Sequence, residues 1–189
     1  MLIAGGITDD ADGVHSARST ELYNWTINMF AASTSTPMMN SPRQYASAAL
    51  LRNGKVLIAG GEVIFEDVLQ STELYDPATN TFAALTPMMN AGRIFATATL
   101  LRNGNVLIAG GQDLVSPHFY NSLRSTDLYD PVTNTFAPAT LTPVMNTARD
   151  LATATALRDG KVLIAGGESV VPPNTTILRG TEVYSPRRR

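Results

Sequence analysis

Polar and apolar positions alternate in three short patterns that return along the chain, and each predicts a β-strand. In ATATLL (Ala96 to Leu101) and its copies SAALL and ATATAL, small side chains alternate with β-branched or larger ones, as in a strand crowded on both faces. KVLIAGG is apolar up to its glycines and predicts a second strand, buried on both faces. STELYD predicts a third strand, and a short fourth ends at Phe82 or Phe136. Asn53-Gly54, Asn103-Gly104 and Asp159-Gly160 separate the first two strands and predict two-residue hairpin loops with positive φ at both positions. Pro77 or Pro131, followed by Thr-Asn, marks the turn between the third and fourth, because proline cannot donate to a central ladder.

The patterns keep a constant order. Glycine doublets at Gly5/Gly6, Gly60/Gly61, Gly110/Gly111 and Gly166/Gly167 stand 55, 50 and 56 residues apart, the period of a repeat architecture. A four-stranded meander of about 50 residues buries both faces only by stacking radially on its neighbours, which is the blade of a β-propeller. Ala and Thr on the first strand suit blades converging on an axis; Tyr and Phe on the third and fourth suit blades diverging from it. Met1 aligns with Val56, Val106 and Val162, and TEVYSP near the other end stops short of a fourth strand. The register therefore predicts an all-β arc of four blades, two complete and two partial, over about 1–36, 43–86, 93–140 and 149–185. Residues 1–189 form one array, expected to be a fragment of a larger propeller.

These residues resemble kelch repeats, which combine a glycine doublet after the second strand, a Tyr on the third and an aromatic on the fourth. The matching positions are Gly60, Gly61, Tyr75 and Phe82, then Gly110, Gly111, Tyr129 and Phe136. The first copy supplies Gly5, Gly6, Tyr23 and Phe30, and the last Gly166, Gly167 and Tyr184. The fourth-strand aromatic, usually Trp in the family, is Phe here, and Trp25 lies within the turn. The resemblance implies the galactose oxidase-like superfamily, and its wording is similar to the kelch arrays of bacterial secreted or cell-surface proteins.

Composition narrows the chemistry. A formal net charge of -2 lacks the basic excess that nucleic-acid binding uses. The absence of cysteine removes disulfides, thiolate metal sites and cysteine nucleophiles together. No apolar run approaches the roughly 18 residues of a membrane span, and no basic leader precedes MLIAGG.

Because the first and second strands run in opposite directions, the long variable segments all leave from one face. These are Ile7 to Arg18, Glu62 to Gln70, Gln112 to Arg124 and Glu168 to Gly180. Insertions on one face of a repeat array are usually its binding surface. Arg43, Arg93 and Arg149 open the first strand on that face and are candidates to hold carboxylates or sulfated sugars bidentately. The structural alternative has each bonding loop carbonyls or a carboxylate such as Asp67 or Asp150. The glycine doublets precede no helix and are expected to be structural rather than phosphate-binding. Thr8 to Gly13 has the cadence of a calcium loop without its first acid or its distal Glu, Ser19 standing there; a solvated acidic loop is expected. His15 and His118 lie in different loops, so no metal is expected of them. Met38, Met39, Met88, Met89 and Met145 recur with the period and should pack between units. Asn24 and Asn174 begin sequons that matter only on a eukaryotic secretory route.

The expected function is a non-catalytic binding scaffold for a protein or glycan, without cofactor. Self-association through exposed blade faces is also expected. The alternatives are a piece of a galactose oxidase-like enzyme, whose copper needs Tyr, His and a Tyr-Cys cross-link absent here, or a gene fragment without independent function.

Overall fold

The computed structural model describes residues 1–10, 13–116 and 119–186. His118, part of the Thr8 to Gly13 loop and the terminal arginines lie outside the described residues. The first sheet begins with β1 (Leu2–Ala4) and, after a hairpin of β2 (Ile7–Asp10) and β3 (Gly13–Ser16), adds β4 (Thr20–Asn24) and β5 (Met29–Phe30). The second comprises β6 (Ser47–Leu50), β7 (Val56–Ala59), β8 (Thr72–Asp76) and β9 (Thr81–Phe82). The third is β10 (Thr97–Leu100), β11 (Val106–Ala109), β14 (Thr126–Asp130) and β15 (Thr135–Phe136), with a hairpin of β12 (Gln112–Ser116) and β13 (Phe119–Ser122) inserted after β11. The fourth is β16 (Thr153–Ala156), β17 (Val162–Ala165) and β20 (Thr181–Tyr184), interrupted by the hairpin β18 (Glu168–Val171) and β19 (Asn174–Ile177). Every pairing is antiparallel, so the chain is an all-β array of repeated sheets.

The register repeats residue for residue. Val56 faces Tyr75, Val106 faces Tyr129 and Val162 faces Tyr184 across the central pair of each sheet. Tyr23, Tyr75 and Tyr129 each lie 5.3 Å from the Phe of the next strand, at Phe30, Phe82 and Phe136. Asn80 and Asn134, at φ 56° and 54°, close the intervening turns and accept from the Tyr75 and Tyr129 hydroxyls.

The core lies between sheets, not within one. Leu51, Leu57 and Ala59 of the second sheet pack with Val106, Ile108 and Tyr129 of the third. Leu101, Leu107 and Ala109 of the third pack with Val162 and Ile164 of the fourth. Burying each of these larger side chains stabilises the array by roughly 1.5–3 kcal/mol. The outward faces of the end sheets carry the same residue types uncovered: Ile3 and Phe30 at one end, Leu157 and Val183 at the other.

Two sequence expectations need correction. The turns after the first strands are not two-residue loops with positive φ throughout: Gly54, Gly104 and Gly160 have positive φ, and Asn53, Asn103 and Asp159 do not. Gly54 N–H instead donates to Leu51 O, Leu51 N–H donates to Lys55 O, and the Asn53 side chain accepts from Lys55 N–H. That is a three-residue loop with its glycine as the bulge, in which Asn caps the turn locally. The methionines also divide. Met39, Met89 and Met145 are buried between units, whereas Met38 and Met88 point outward, because extended backbone sends neighbours to opposite sides.

Candidate functional site

Arg43, Arg93 and Arg149 stand where each unit enters its first strand, and all three are buried, at 1%, 1% and 3% exposure. Each guanidinium reaches across its own unit to the second and third strands. Arg93 Nη1 donates to Gly110 O (2.8 Å) and Ser125 O (3.0 Å), Nη2 to Ser125 Oγ (3.0 Å), and Nε to Asp127 Oδ2 (2.8 Å). Arg43 contacts Gly60 O, Ser71 and Glu73 in the same way, and Arg149 contacts Gly166 O, Gly180 O and Glu182. The carboxylate partners are therefore Glu73, Asp127 and Glu182 on β8, β14 and β20, not Asp67, which is exposed, or Asp150, which accepts from Ser122. The longer Glu reaches past Nε, which is why Arg43 and Arg149 leave that donor unpaired while Arg93 does not.

Each acid also holds the segment leading to the arginine. Asn90 and Asn146 donate to Asp127 and Glu182 through both backbone and side chain, whereas Asn40 donates to Glu73 through its side chain alone and Ser41 supplies the backbone N–H. Burial pulls the Glu182 carboxyl up, but the N–H groups of Asn146 and Thr147 and the Arg149 guanidinium outweigh it, leaving it below its ordinary value. A depressed carboxyl contributes stability above the unfolded-state value and loses it as pH falls through the folded-state value. Thermal melts of the chain should therefore lose stability below about pH 4.5, and the loss should be smaller in Glu182→Gln; identical pH profiles would remove Glu182 from the linkage.

The glycine doublets join one unit to the next. The N–H of Gly6, Gly61 and Gly111 donates to the carbonyl of Arg43, Arg93 and Arg149 in the following unit, at 2.9, 2.8 and 2.9 Å. The preceding glycine lies so close that a Cβ on Gly60 or Gly110 would stand 2.3 or 2.2 Å from that same carbonyl oxygen. Gly61 is crowded instead from its own unit, by Gln44 O. Tyr23, Tyr75, Tyr129 and Tyr184 lie on the third strands of their sheets, away from the loops.

Hairpins β2–β3, β12–β13 and β18–β19, with the loop 62–68, all spring from the glycine-doublet ends of the sheets, so the structure brings the variable segments to one side. Bridges Gln44↔Glu62, Ile94↔Gln112 and Asp150↔Glu168 fasten their roots to the residue after each arginine. Tyr120 donates to Glu62, and Ser122 connects Asp150 with the N–H of Val170, so neighbouring loops brace one another. Desolvation raises the Asp113 carboxyl above its usual value, with Leu114 N–H and Arg93 pulling the other way.

Sequence reasoning missed a ladder at the floor of this side. Tyr45, Phe95 and Leu151 follow the arginines by two positions, all with positive φ (55°, 55° and 51°). Phe95 N–H donates to Tyr45 O and Leu151 N–H to Phe95 O, so the three step from unit to unit. The Tyr45 and Phe95 rings are 4.5 Å apart, and Tyr45 and Leu151 are exposed. The only signal was a bulky residue two after each arginine. Among the described residues, no group of three or more His, Cys, Asp or Glu is placed to hold a metal ion. A cavity of about 710 Å³ lies elsewhere, between the third and fourth sheets, against Leu128, Met145 and Tyr184.

No protein-family model matches the chain, and no curated protein is significantly similar to it.

Proposed function

We propose that the chain is a four-blade arc of a kelch-type β-propeller acting as a non-catalytic binding scaffold, with the loops after the glycine doublets as its ligand face. One observation carries the reading: the recurring polar side chains are consumed within each unit, whereas every variable segment leaves from the same side. Arg43, Arg93 and Arg149 serve each unit, and the loops are left to differ. A rigid sheet array displaying divergent loops on one side is an arrangement that suits recognition better than chemistry.

The test replaces residues 113–121 by a Gly-Asn-Gly turn, which removes most of the β12–β13 hairpin and leaves the sheets untouched. Immobilised wild type is screened against neutral glycans, sulfated glycans and peptides. Loss of the retained ligand in the shortened chain, with its melting midpoint near the wild-type value, supports the reading. Equal retention by this chain and by a second one in which Gly-Asn-Gly replaces residues 63–67 places binding elsewhere and overturns it.

A further inference from the structure

Charge on the loop side has the opposite sign from the one its arginines suggest. The three recurring guanidiniums are each matched by a buried carboxylate, Glu73, Asp127 or Glu182, so they offer little to an approaching anion. Among the described side chains, the segments 7–18, 62–70, 112–124 and 168–180 carry six acids, Asp9, Glu62, Glu66, Asp67, Asp113 and Glu168, against three Arg. Two of those three, Arg18 and Arg124, donate through Nε to the backbone carbonyls of Met39 and Met145. The whole chain has a net charge of only -2, so the excess of acid is concentrated on this side.

Exposed apolar groups share that surface. Phe65 is 92% exposed at φ 64° on the tip of the 62–68 loop, and Glu66 and Asp67 beside it are exposed as well. A bulky residue held in the left-handed region with its ring in water is an unusual conformation that the surroundings must enforce. Tyr45, half exposed against Phe95, has the same backbone strain beneath it. Exposed carboxylates and π-faces seek the same thing, a donor-rich cation on an apolar stem, which is what Lys and Arg side chains provide.

We infer that the loop face docks a cationic, partly apolar polypeptide segment, with Glu66 and Asp67 meeting its basic groups and Phe65 and Tyr45 receiving their stems. This rests on the loop face being the ligand face, and it replaces the anionic ligands that Arg43, Arg93 and Arg149 suggested by a partner of opposite charge. Opposite charge at the rim sets the rate of encounter and its dependence on salt, while the aromatic contacts slow release.

Fluorescence anisotropy on the intact chain tests this with a labelled 12-residue peptide containing five Lys and two Leu. Its Glu-for-Lys counterpart and heparin serve as the anionic probes. The cationic peptide should bind at 50 mM salt, weaken several-fold at 200 mM, and exceed both anionic probes at either concentration. Glu66→Gln with Asp67→Asn should weaken it about fivefold through lost charge. Phe65→Asn and Tyr45→Asn remove the rings while keeping a residue that accepts positive φ, and should weaken it at every salt concentration. Arg52→Gln, on the opposite side, should change nothing. Preference for an anionic probe, absence of cationic binding up to 1 mM, or equal binding by the acid-to-amide variant would each overturn the inference. A neutral glycan bound through the loops, with no cationic binding, would leave the scaffold reading standing and remove this one alone.

Discussion

Replacing Arg93 by Met is expected to destabilise the chain by about 3–5 kcal/mol, because it strands a buried charge. Asp127 is 0% exposed, and Arg93 pairs with it through Nε and Nη2 at 2.8 Å, the one cation that does so among the described residues. The same substitution removes the Arg93 donors to Gly110 O and Ser125 Oγ and one of the two to Ser125 O, which keeps the Gly110 N–H. Asn90 would remain as the partner of Asp127, but two neutral donors do not balance a full charge out of water. Urea denaturation followed by circular dichroism measures the loss. Pairing the change with Asp127→Leu should recover much of it, since a well-packed apolar pair often matches or exceeds a buried ion pair. An Arg93→Met chain as stable as wild type would mean that the guanidinium is held ready for a ligand.

Gly110→Ala and Gly166→Ala form the second pair of expectations, with equal backbone geometry and unequal surroundings. Their φ angles are 67° and 66°, so both variants carry the same left-handed strain of about 1–2 kcal/mol. A Cβ on Gly110 would meet Arg149 O at 2.2 Å and Met145 Cε at 3.1 Å; on Gly166 it meets nothing nearer than 3.8 Å. The first variant must therefore push the fourth sheet away from the third or forfeit the Gly111 to Arg149 hydrogen bond, adding several kcal/mol to the strain. Differential scanning calorimetry should show one cooperative transition splitting in Gly110→Ala, with the fourth sheet melting first, and a modest shift in Gly166→Ala. Equal effects of the two substitutions would show that the close approach is not what requires glycine there.

The strands and their order were legible because they rest on local patterning repeated four times, and repetition averages away the ambiguity of any one short apolar run. The pairing of Tyr75 with Val56, repeated at Tyr129 with Val106, was supplied by the structure. The partners of the arginines were harder to read. Asp67 and Asp150 are nearer in the chain to an arginine's own loops, whereas Glu73 lies 30 residues from Arg43, across the folded unit. The acid in Thr-Glu-Leu-Tyr recurs in phase with the arginine, and that shared phase was the available clue. Hairpins β2–β3, β12–β13 and β18–β19 share no common sequence, so no comparison within the chain could expose them. The ladder of Tyr45, Phe95 and Leu151 was hidden for another reason: nothing in a Tyr, Phe or Leu side chain announces positive φ.

The bond between one sheet and the next runs from a glycine N–H to an arginine carbonyl, both peptide groups, with a methionine beside it. The second, third and fourth units thus present the same plug at their entrances, and the doublets before them the same socket. A duplicated or transplanted unit would find its backbone counterpart on either neighbour. What it would still have to match is the bracing between adjacent loops, such as Tyr120 on Glu62 and Ser122 between Asp150 and Val170, so the loops drift in neighbouring pairs rather than singly.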